Sequence, residues 1–302
     1  MVLKKAGLYG LFLFAILLTA CSQGNDDEAV ESFSHIHGLA YDLEDPSQLY
    51  MSTHMGLLRI SDENEWNWVG DITERHDLMG FTFKDENTMI SSGHPNVYSN
   101  LENPLGIVIS KNKGESWEPI SLHGDIDFHV LEVNTGDSNV IYGIDMYESV
   151  LYVSNDGGYN WTTINADGLP RDYSKIISLV SNPLQPEMVI AGSEDGIYLS
   201  EDGGQSWRVT NQRQSMTSGA SIPSGEIFVY LLGNDAGLYT SEDFGETWIP
   251  LSLQIEDDAI THIAVHPTNN DTITVGTFRE DLYQTMDGGK NWIKIAEAGQ
   301  LK

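Results

Sequence analysis

Short segments of alternating apolar and polar residues, separated by turn-forming residues, recur between positions 34 and 298. The last repeat shows the pattern in full, with runs at 261–265, 272–276, 281–285 and 292–295. Runs of this length and alternation predict β-strands. Four strands in a unit of about 45 residues are typical of a propeller blade. The pattern therefore predicts an all-β propeller with almost no helix.

One eight-residue motif, of the form Ser-x-Asp-x-Gly-x-Thr-Trp, falls between the third and fourth predicted strands of each unit. Successive copies lie 41 to 49 residues apart and begin at Ser61, Ser110, Ser154, Ser200, Ser241 and Thr285. In a tight turn an aspartate side chain accepts backbone N–H bonds, and glycine adopts positive φ at little cost. Six copies predict six blades, and the spacing alone also allows a seventh.

The aspartates and tryptophans of this motif are interpreted as structural, because each tryptophan starts a strand as a packing anchor. The predicted turn and anchor residues are Asp156, Asp202, Asp243, Asp287, Trp117, Trp161, Trp207, Trp248 and Trp292. The first copy has Glu63 and Glu65 in place of aspartate and glycine and ends at Trp68, so its turn is expected to be less regular. Each blade supplies its own four strands. Ring closure is therefore expected to depend on packing, with 29–33 as a possible extra outer strand.

These motifs give the chain a resemblance to the Asp-box (BNR-type) β-propellers. That group includes sialidases, xyloglucanase-type glycosidases, the sortilin ectodomain and photosystem II assembly factors. The segments 34–41, 52–54, 79–81 and 92–95 make the chain most similar to bacterial propeller lipoproteins described as glycosyl-hydrolase-like or sortilin-like. The resemblance implies the fold. Because such boxes occur in enzymes, receptors and scaffolds alike, function has to be argued from individual residues.

The N-terminus has the features of an export signal. Lys4 and Lys5 precede an apolar run at 6–18, which is too short to span a bilayer. The run ends in Leu-Thr-Ala-Cys, which resembles a bacterial lipobox, and Cys21 is the only cysteine of the chain. We therefore expect a lipoprotein signal peptide at 1–20, a lipidated acidic tether at 21–33 and the propeller at 34–298. The expected location is the outer side of the bacterial cell membrane, or the periplasm.

The charge balance limits the partners. The chain has 15 basic and 45 acidic residues and a formal net charge of −30. A surface this acidic repels phosphate backbones and attracts cations. Nucleic acid is therefore excluded as a partner, whereas the membrane through Cys21, a protein or a glycan remain as candidates.

The histidines are unevenly distributed over the predicted blades. In a propeller, the starts of the innermost strands and the loops between second and third strands share one face, opposite the boxes. This topology predicts a histidine-rich sector on that face, formed by His35, His37, His54, His94, His129, His262 and Asp127. Imidazoles with a nearby carboxylate suit a divalent transition metal such as zinc, copper or iron. The alternative is that these side chains are ordinary polar lining of a wet channel.

Two further functions remain open. Glycoside hydrolysis needs two carboxylates across a cleft, and the loop-face candidates are Asp125, Asp127, Asp145, Glu148, Glu194, Asp235, Glu280 and Asp281. The sialidase version of this chemistry is disfavoured, because Arg59 and Arg208 belong on the opposite face and the other four arginines come from widely separated blades. A non-catalytic assembly scaffold is the third interpretation. Both functions are alternatives to the first interpretation, a propeller that binds a metal, a small ligand or a partner protein on its histidine-rich face.

Overall fold

The structure of the protein is a computed structural model that describes residues 30–253 and 255–302. The predicted signal peptide, Cys21 and most of the expected tether lie outside these residues. The described chain forms six antiparallel sheets, and in each sheet the strands are hydrogen-bonded in sequence order. The prediction of a six-bladed all-β propeller is therefore confirmed.

The first three blades carry most of the histidine-rich sector. Blade 1 consists of β1 (Ile36–Tyr41), β2 (Gln48–Thr53), β3 (Gly56–Ser61) and β4 (Trp66–Trp68). Blade 2 consists of β5 (Asp77–Asp85), β6 (Thr88–His94), β7 (Ile107–Ser110) and β8 (Glu118–Ser121). Blade 3 consists of β9 (Val130–Val133), β10 (Ile141–Asp145), β11 (Val150–Ser154) and β12 (Thr162–Ile164).

The remaining blades complete the ring. Blade 4 consists of β13 (Ile176–Asn182), β14 (Gln185–Ser193), β15 (Gly196–Ser200) and β16 (Arg208–Val209). Blade 5 consists of β17 (Ser215–Ser221), β18 (Ile227–Leu232), β19 (Gly237–Ser241) and β20 (Ile249–Pro250). Blade 6 has a fifth strand and consists of β21 (Ile260–Val265), β22 (Ile273–Thr277), β23 (Leu282–Thr285), β24 (Ile293–Glu297) and β25 (Gln300–Leu301).

The motif between third and fourth strands is a side-chain-stabilised turn. In blade 3, the Ser154 hydroxyl donates to Asp156 Oδ1 at 2.9 Å, and the Asn160 backbone N–H donates to the same oxygen at 2.8 Å. The Trp161 indole N–H donates to the Gly158 carbonyl at 2.9 Å. Asp202, Asp243 and Asp287 make the same pair of bonds in blades 4, 5 and 6. Each box therefore fixes its own turn locally, as required for a repeat unit.

The first box is built differently. Its hairpin is closed by Glu65 N–H donating to Ser61 Oγ, and β4 begins at Trp66 rather than after Trp68. Trp66 is buried, its indole N–H donates to Asn64 Oδ1 at 2.8 Å, and Trp68 is only partly buried. The prediction that Trp68 is the packing tryptophan of this box was wrong. Because the turn is shorter, the buried tryptophan is Trp66, two residues earlier.

The two ends of the described chain meet at blade 6. Ser32 forms an antiparallel bridge with Gln300 in β25, and the Phe33 N–H donates to the Gly299 carbonyl at 3.0 Å. Phe33 is buried and stacks on Trp66 with ring centroids 5.9 Å apart. Closure thus adds backbone pairing to the packing expected from the sequence. Among the described residues, the β structure therefore extends from the bridge at Ser32 to β25.

Apolar side chains fill the spaces between neighbouring blades and hold the ring together. A cluster between blades 6 and 1 includes Met51, Leu58 and Leu282, all fully buried. Within the described part of the chain the helical structure is a single 3-10 turn, Tyr173–Lys175. No helix in that part is long and apolar enough to cross a membrane.

Candidate functional site

Five side chains of the histidine-rich sector, together with Asp77, form two groups, one blade apart. The blade 1–2 triad is His37, His54 and Asp77, and the blade 2–3 triad is His94, Asp127 and His129. Within each triad the potential ligand atoms lie within 4.8 Å of one another. Ring closure therefore brings together most of the predicted residues, but in two sets of three rather than around one centre.

The blade 1–2 triad is hydrogen-bonded in this structure. His37 Nδ1 lies 2.8 Å from Asp77 Oδ1, and His54 Nδ1 lies 3.1 Å from Asp77 Oδ2. Both imidazoles therefore contact one carboxylate, each through a different oxygen. The His54 side chain is 54% exposed, whereas those of His37 and Asp77 are mostly buried.

In the blade 2–3 triad the aspartate is more deeply buried than in the blade 1–2 triad, and in the part of the chain that the structure describes its oxygens lack hydrogen bonds. Asp127 Oδ2 lies 3.2 Å from His94 Nε2 and 3.2 Å from His129 Nδ1. The Asp127 side chain is only 6% exposed, and within the described residues neither of its oxygens has a hydrogen-bond partner of good geometry. His129 Nδ1 is unpartnered in the same way. Burial raises the pKa of Asp127 above its ordinary value, and the nearby imidazoles of His129 and His94 oppose this shift.

A neighbouring amide fixes the state of one ligand. Asn103 Oδ1 lies 2.8 Å from His94 Nδ1 and can only accept, so Nδ1 carries the proton. In the neutral ring Nε2 is then the free nitrogen that faces the Asp127 carboxylate 3.2 Å away, and either a proton or a metal ion between the two atoms satisfies both of them. Metal-binding histidines usually donate their other N–H to such an outer acceptor.

The two triads repeat one arrangement. In each, a histidine at or just after the end of a second strand (His54, His94) faces an aspartate near the start of the next blade's innermost strand (Asp77, Asp127). The third ligand differs, because His37 comes from the first of the two blades and His129 from the second. Asp77 and His94 are direct partners in the β5–β6 pairing, so the triads share one sheet end.

Sequence reasoning missed Asp77 as a ligand candidate. Its position in the repeat was the available signal. Asp77 is the first residue of β5, and Asp127 lies just before β9, which is the corresponding strand of the next blade. His262 lies outside both triads. Its Nδ1 is 3.0 Å from Thr261 Oγ1, and burial lowers its pKa to about 4, with the neighbouring His37 acting in the same direction. This side chain fits the polar-lining interpretation better than the ligand interpretation.

The histidine-rich face opens into the central channel. The channel has a cavity volume of about 310 Å³, and His37, His129 and His262 contribute to its wall. Glu132 also lines it, accepting hydrogen bonds at Oε1 from the Ser181 N–H at 2.8 Å and the Ser181 hydroxyl at 2.9 Å. Burial raises the pKa of Glu132 to about 7. The channel therefore lies beside both triads but carries its own polar contacts.

The loops around the triads expose apolar side chains. Loops between second and third strands carry Met55, Val97, Tyr98, Tyr147 and Phe278, which are 52% to 90% exposed. These loops belong to blades 1, 2, 3 and 6, the same blades that supply the histidines of the sector. Solvent-exposed apolar groups around polar side chains are typical of a binding face.

Two of the predicted glycosidase carboxylates lie near each other, and two others make structural contacts elsewhere. Asp145 is buried at the end of β10 and influences Asp127 electrostatically, so these two lie near each other. Asp281 pairs instead with Lys294 at 2.6 Å, and Glu280 Oε1 accepts from the His35 backbone N–H at 2.9 Å. Both are thus occupied by structural contacts.

About two thirds of the chain matches a known sequence family. Residues 106–221 and 195–300 match the profile of the Sortilin-Vps10 family, described as sortilin, neurotensin receptor 3. The two matches overlap and together span 106–300, which is 195 of the 302 residues. The chain belongs to the Sortilin-Vps10 family.

Solved structures place this Sortilin-Vps10 family member among other propellers. A GH74 xyloglucanase from Xanthomonas campestris has a TM-score of 0.56 at 18% identity, covering 89% of this chain and 46% of that chain. A GH74 enzyme from Niastella koreensis has a TM-score of 0.60 at 16% identity, with coverages of 89% and 46%. YCF48 from Cyanidioschyzon merolae has a TM-score of 0.52 at 13% identity, with coverages of 89% and 87%.

These similarities concern the fold alone, because all three identities are below 20%. The chain spans less than half the length of the two GH74 enzymes. No curated protein matches the sequence. The function of this family member therefore has to be argued from its own side chains.

Proposed function

We propose that this protein is an extracytoplasmic, lipid-anchored propeller that binds a divalent transition metal ion at the blade 2–3 triad. The sequence around Cys21 supports the anchor, and the donor set of His94, Asp127 and His129 supports the metal. An acidic protein with net charge −30 also raises the local concentration of cations.

The observation that supports the metal site most directly is the buried carboxylate of Asp127, which has no hydrogen-bond partner of good geometry among the described residues. Burying a charged group is costly unless it is paired, hydrogen-bonded or coordinated to a metal. Its oxygen lies 3.2 Å from a nitrogen of each flanking imidazole. With Zn–N distances of 2.0–2.1 Å, neighbouring ligand atoms of a tetrahedral ion lie about 3.3–3.4 Å apart. The spacing of the triad thus fits an ion of this size with little movement.

The proposal also explains the amide at the back of the site. Asn103 leaves His94 Nε2 as the unprotonated nitrogen, which is the form that binds a metal. Two imidazoles and one carboxylate suit Zn²⁺ or Fe²⁺ and leave coordination positions for an external ligand. The exposed Tyr147, whose ring centroid is 6.4 Å from that of His129, stands beside this open side.

The test is metal binding by protein prepared without a histidine tag. After chelator treatment, isothermal titration with Zn²⁺ and Co²⁺ should give tight binding, and the double variant His94→Ala/Asp127→Asn should weaken the blade 2–3 site at least 100-fold. His266→Ala is the matched control, because His266 lies in the β21–β22 loop on the opposite face. Equal binding by the double variant and the wild type would refute the proposal.

Glycoside hydrolysis is a second candidate, favoured by the two buried carboxylates Asp127 and Asp145 on one face. The GH74 enzymes share the fold and provide the analogy. A screen of polysaccharide hydrolysis tests it. Loss of hydrolysis in both Asp127→Asn and Asp145→Asn, without any need for metal, would support this candidate over metal binding.

A further inference from the structure

The two triads differ in the number of imidazoles within reach. A third imidazole, that of His35, stands beside the two imidazoles and the carboxylate of the blade 1–2 triad. Its ring centroid is 5.1 Å from that of His54 and 6.3 Å from that of His37. The residue is exposed and lies outside the set whose ligand atoms are within 4.8 Å of one another, so binding through His35 requires its ring to turn towards Asp77.

The backbone of His35 is held in an unusual conformation at this position. Its φ is +51°, a region that non-glycine residues rarely adopt. The backbone N–H donates to Glu280 Oε1 of blade 6 at 2.9 Å, and the residue follows Phe33 at the seam where the chain ends meet. This backbone conformation places the His35 side chain at the exposed edge of the triad, next to the seam where the two ends of the described chain meet.

The blade 2–3 triad has a different neighbour at its open side. The aromatic side chain beside His129 is Tyr147, which is 81% exposed and belongs to the loop after β10. Among the described residues, the metal-ligating set at this position consists of His94, Asp127 and His129 only. Three protein ligands leave a position for water or for an external ligand.

We propose that the two triads hold two metal ions with different roles. This inference rests on the proposed metal-binding function. At the blade 1–2 triad, His35 joins His37, His54 and Asp77 to give a closed, four-ligand structural site. That site ties blades 1 and 2 to the seam with blade 6. The blade 2–3 triad keeps an exchangeable position and is the site at which an anionic external ligand binds.

Ligand number gives the two sites separate signatures. Closed structural zinc sites are four-coordinate with protein ligands, whereas open sites accept an exogenous ligand. Co²⁺ reports the difference, because its visible absorption changes when a ligand enters its coordination sphere. Azide is the probe ligand, since it is small and anionic.

The experiment isolates each site in the full chain. Asp127→Asn retains the blade 1–2 site, and His54→Ala retains the blade 2–3 site. With Co²⁺ bound, azide should shift the visible spectrum of His54→Ala and leave that of Asp127→Asn unchanged. In the Asp127→Asn background, His35→Asn should weaken Zn²⁺ binding at least tenfold. Asparagine is chosen because it tolerates positive φ and so preserves the backbone.

The outcomes separate the two proposals. Unchanged Zn²⁺ affinity in His35→Asn, or an equal azide response at both sites, overturns the assignment of roles while leaving metal binding intact. Absence of metal from the wild-type protein overturns the proposed function itself and this inference with it. His266→Ala again serves as the control for the loss of one imidazole.

Discussion

Replacing Asp127 by asparagine should have opposite effects on the metal-free and metal-bound protein. Asp127→Asn keeps the shape of the side chain and removes its charge. In the metal-free protein the carboxylate is 6% exposed and, within the described residues, lacks a hydrogen-bond partner of good geometry. The amide of the variant is neutral and can donate to His94 Nε2, so the metal-free variant should be more stable than the wild type.

The expected magnitude follows from the burial of this group. Leaving a buried polar group unsatisfied costs about 1–3 kcal/mol. For a domain of this size each kcal/mol changes Tm by roughly 2–4 °C, so the metal-free variant should melt roughly 2–12 °C above the wild type. Saturating metal should reverse the order. At a free concentration 1,000 times Kd, one bound ion adds about 4.1 kcal/mol to the wild type, which exceeds the gain of about 1–3 kcal/mol in the variant.

Differential scanning calorimetry at pH 8 is a suitable assay, because an ordinary imidazole is then neutral. Measurements are made after chelator treatment and again with Zn²⁺. Asp145→Asn is the matched control: Asp145 is equally buried, but its Oδ1 accepts N–H bonds from Tyr147 and Glu148. The control should therefore lose stability in the metal-free state. A metal-free Asp127→Asn protein that melts below the wild type would contradict the reasoning.

Three further predictions concern the scaffold. Asp202→Ala should lower the free energy of unfolding by about 1 kcal/mol in urea titrations, because a charged acceptor of the turn is lost. Asp202→Asn should cost less, since Asn112 already fills this role in blade 2. Phe33→Ala should cost about 3–5 kcal/mol by removing a buried ring stacked on Trp66, and a loss below 1 kcal/mol would show that the seam does not depend on it. Glu132 has a pKa raised from 4.5 to about 7, so the folded state holds its proton more tightly than the unfolded chain and stability should fall as pH rises from about 4.5 to 7. Glu132→Gln should flatten this slope when unfolding is compared at pH 5 and pH 8, and an unchanged slope would contradict the assignment.

The fold was predictable because its information is local and repeated. Each Asp box fixes a turn through contacts within eight residues, as between Ser154 and Trp161. Five such turns at a regular spacing, with a sixth divergent copy, leave few alternatives to six blades. The first box shows the limit of this reasoning, because the choice between Trp66 and Trp68 depends on packing against Phe33 from the other side of the seam.

The site was predictable only in outline. Propeller topology brings strand starts and loops to one face, which is enough to group histidines distant in sequence. Their division into two triads depends on interblade distances of a few ångströms, and no sequence pattern encodes those. Asp77 was missed because 45 acidic residues offer many equivalent candidates. His262 was grouped with the others because strand position alone does not specify which way a ring turns.

Joining the first and last segments in blade 6 also determines how the ring responds to force. Tension on the N-terminal segment is applied first to Ser32 and Phe33, which are held by backbone bonds at the edge of β25. Edge contacts of this kind open at lower free energy than central strands. We therefore expect mechanical rupture to begin at the rim of blade 6, after which the tension passes directly to β1, the innermost strand of blade 1.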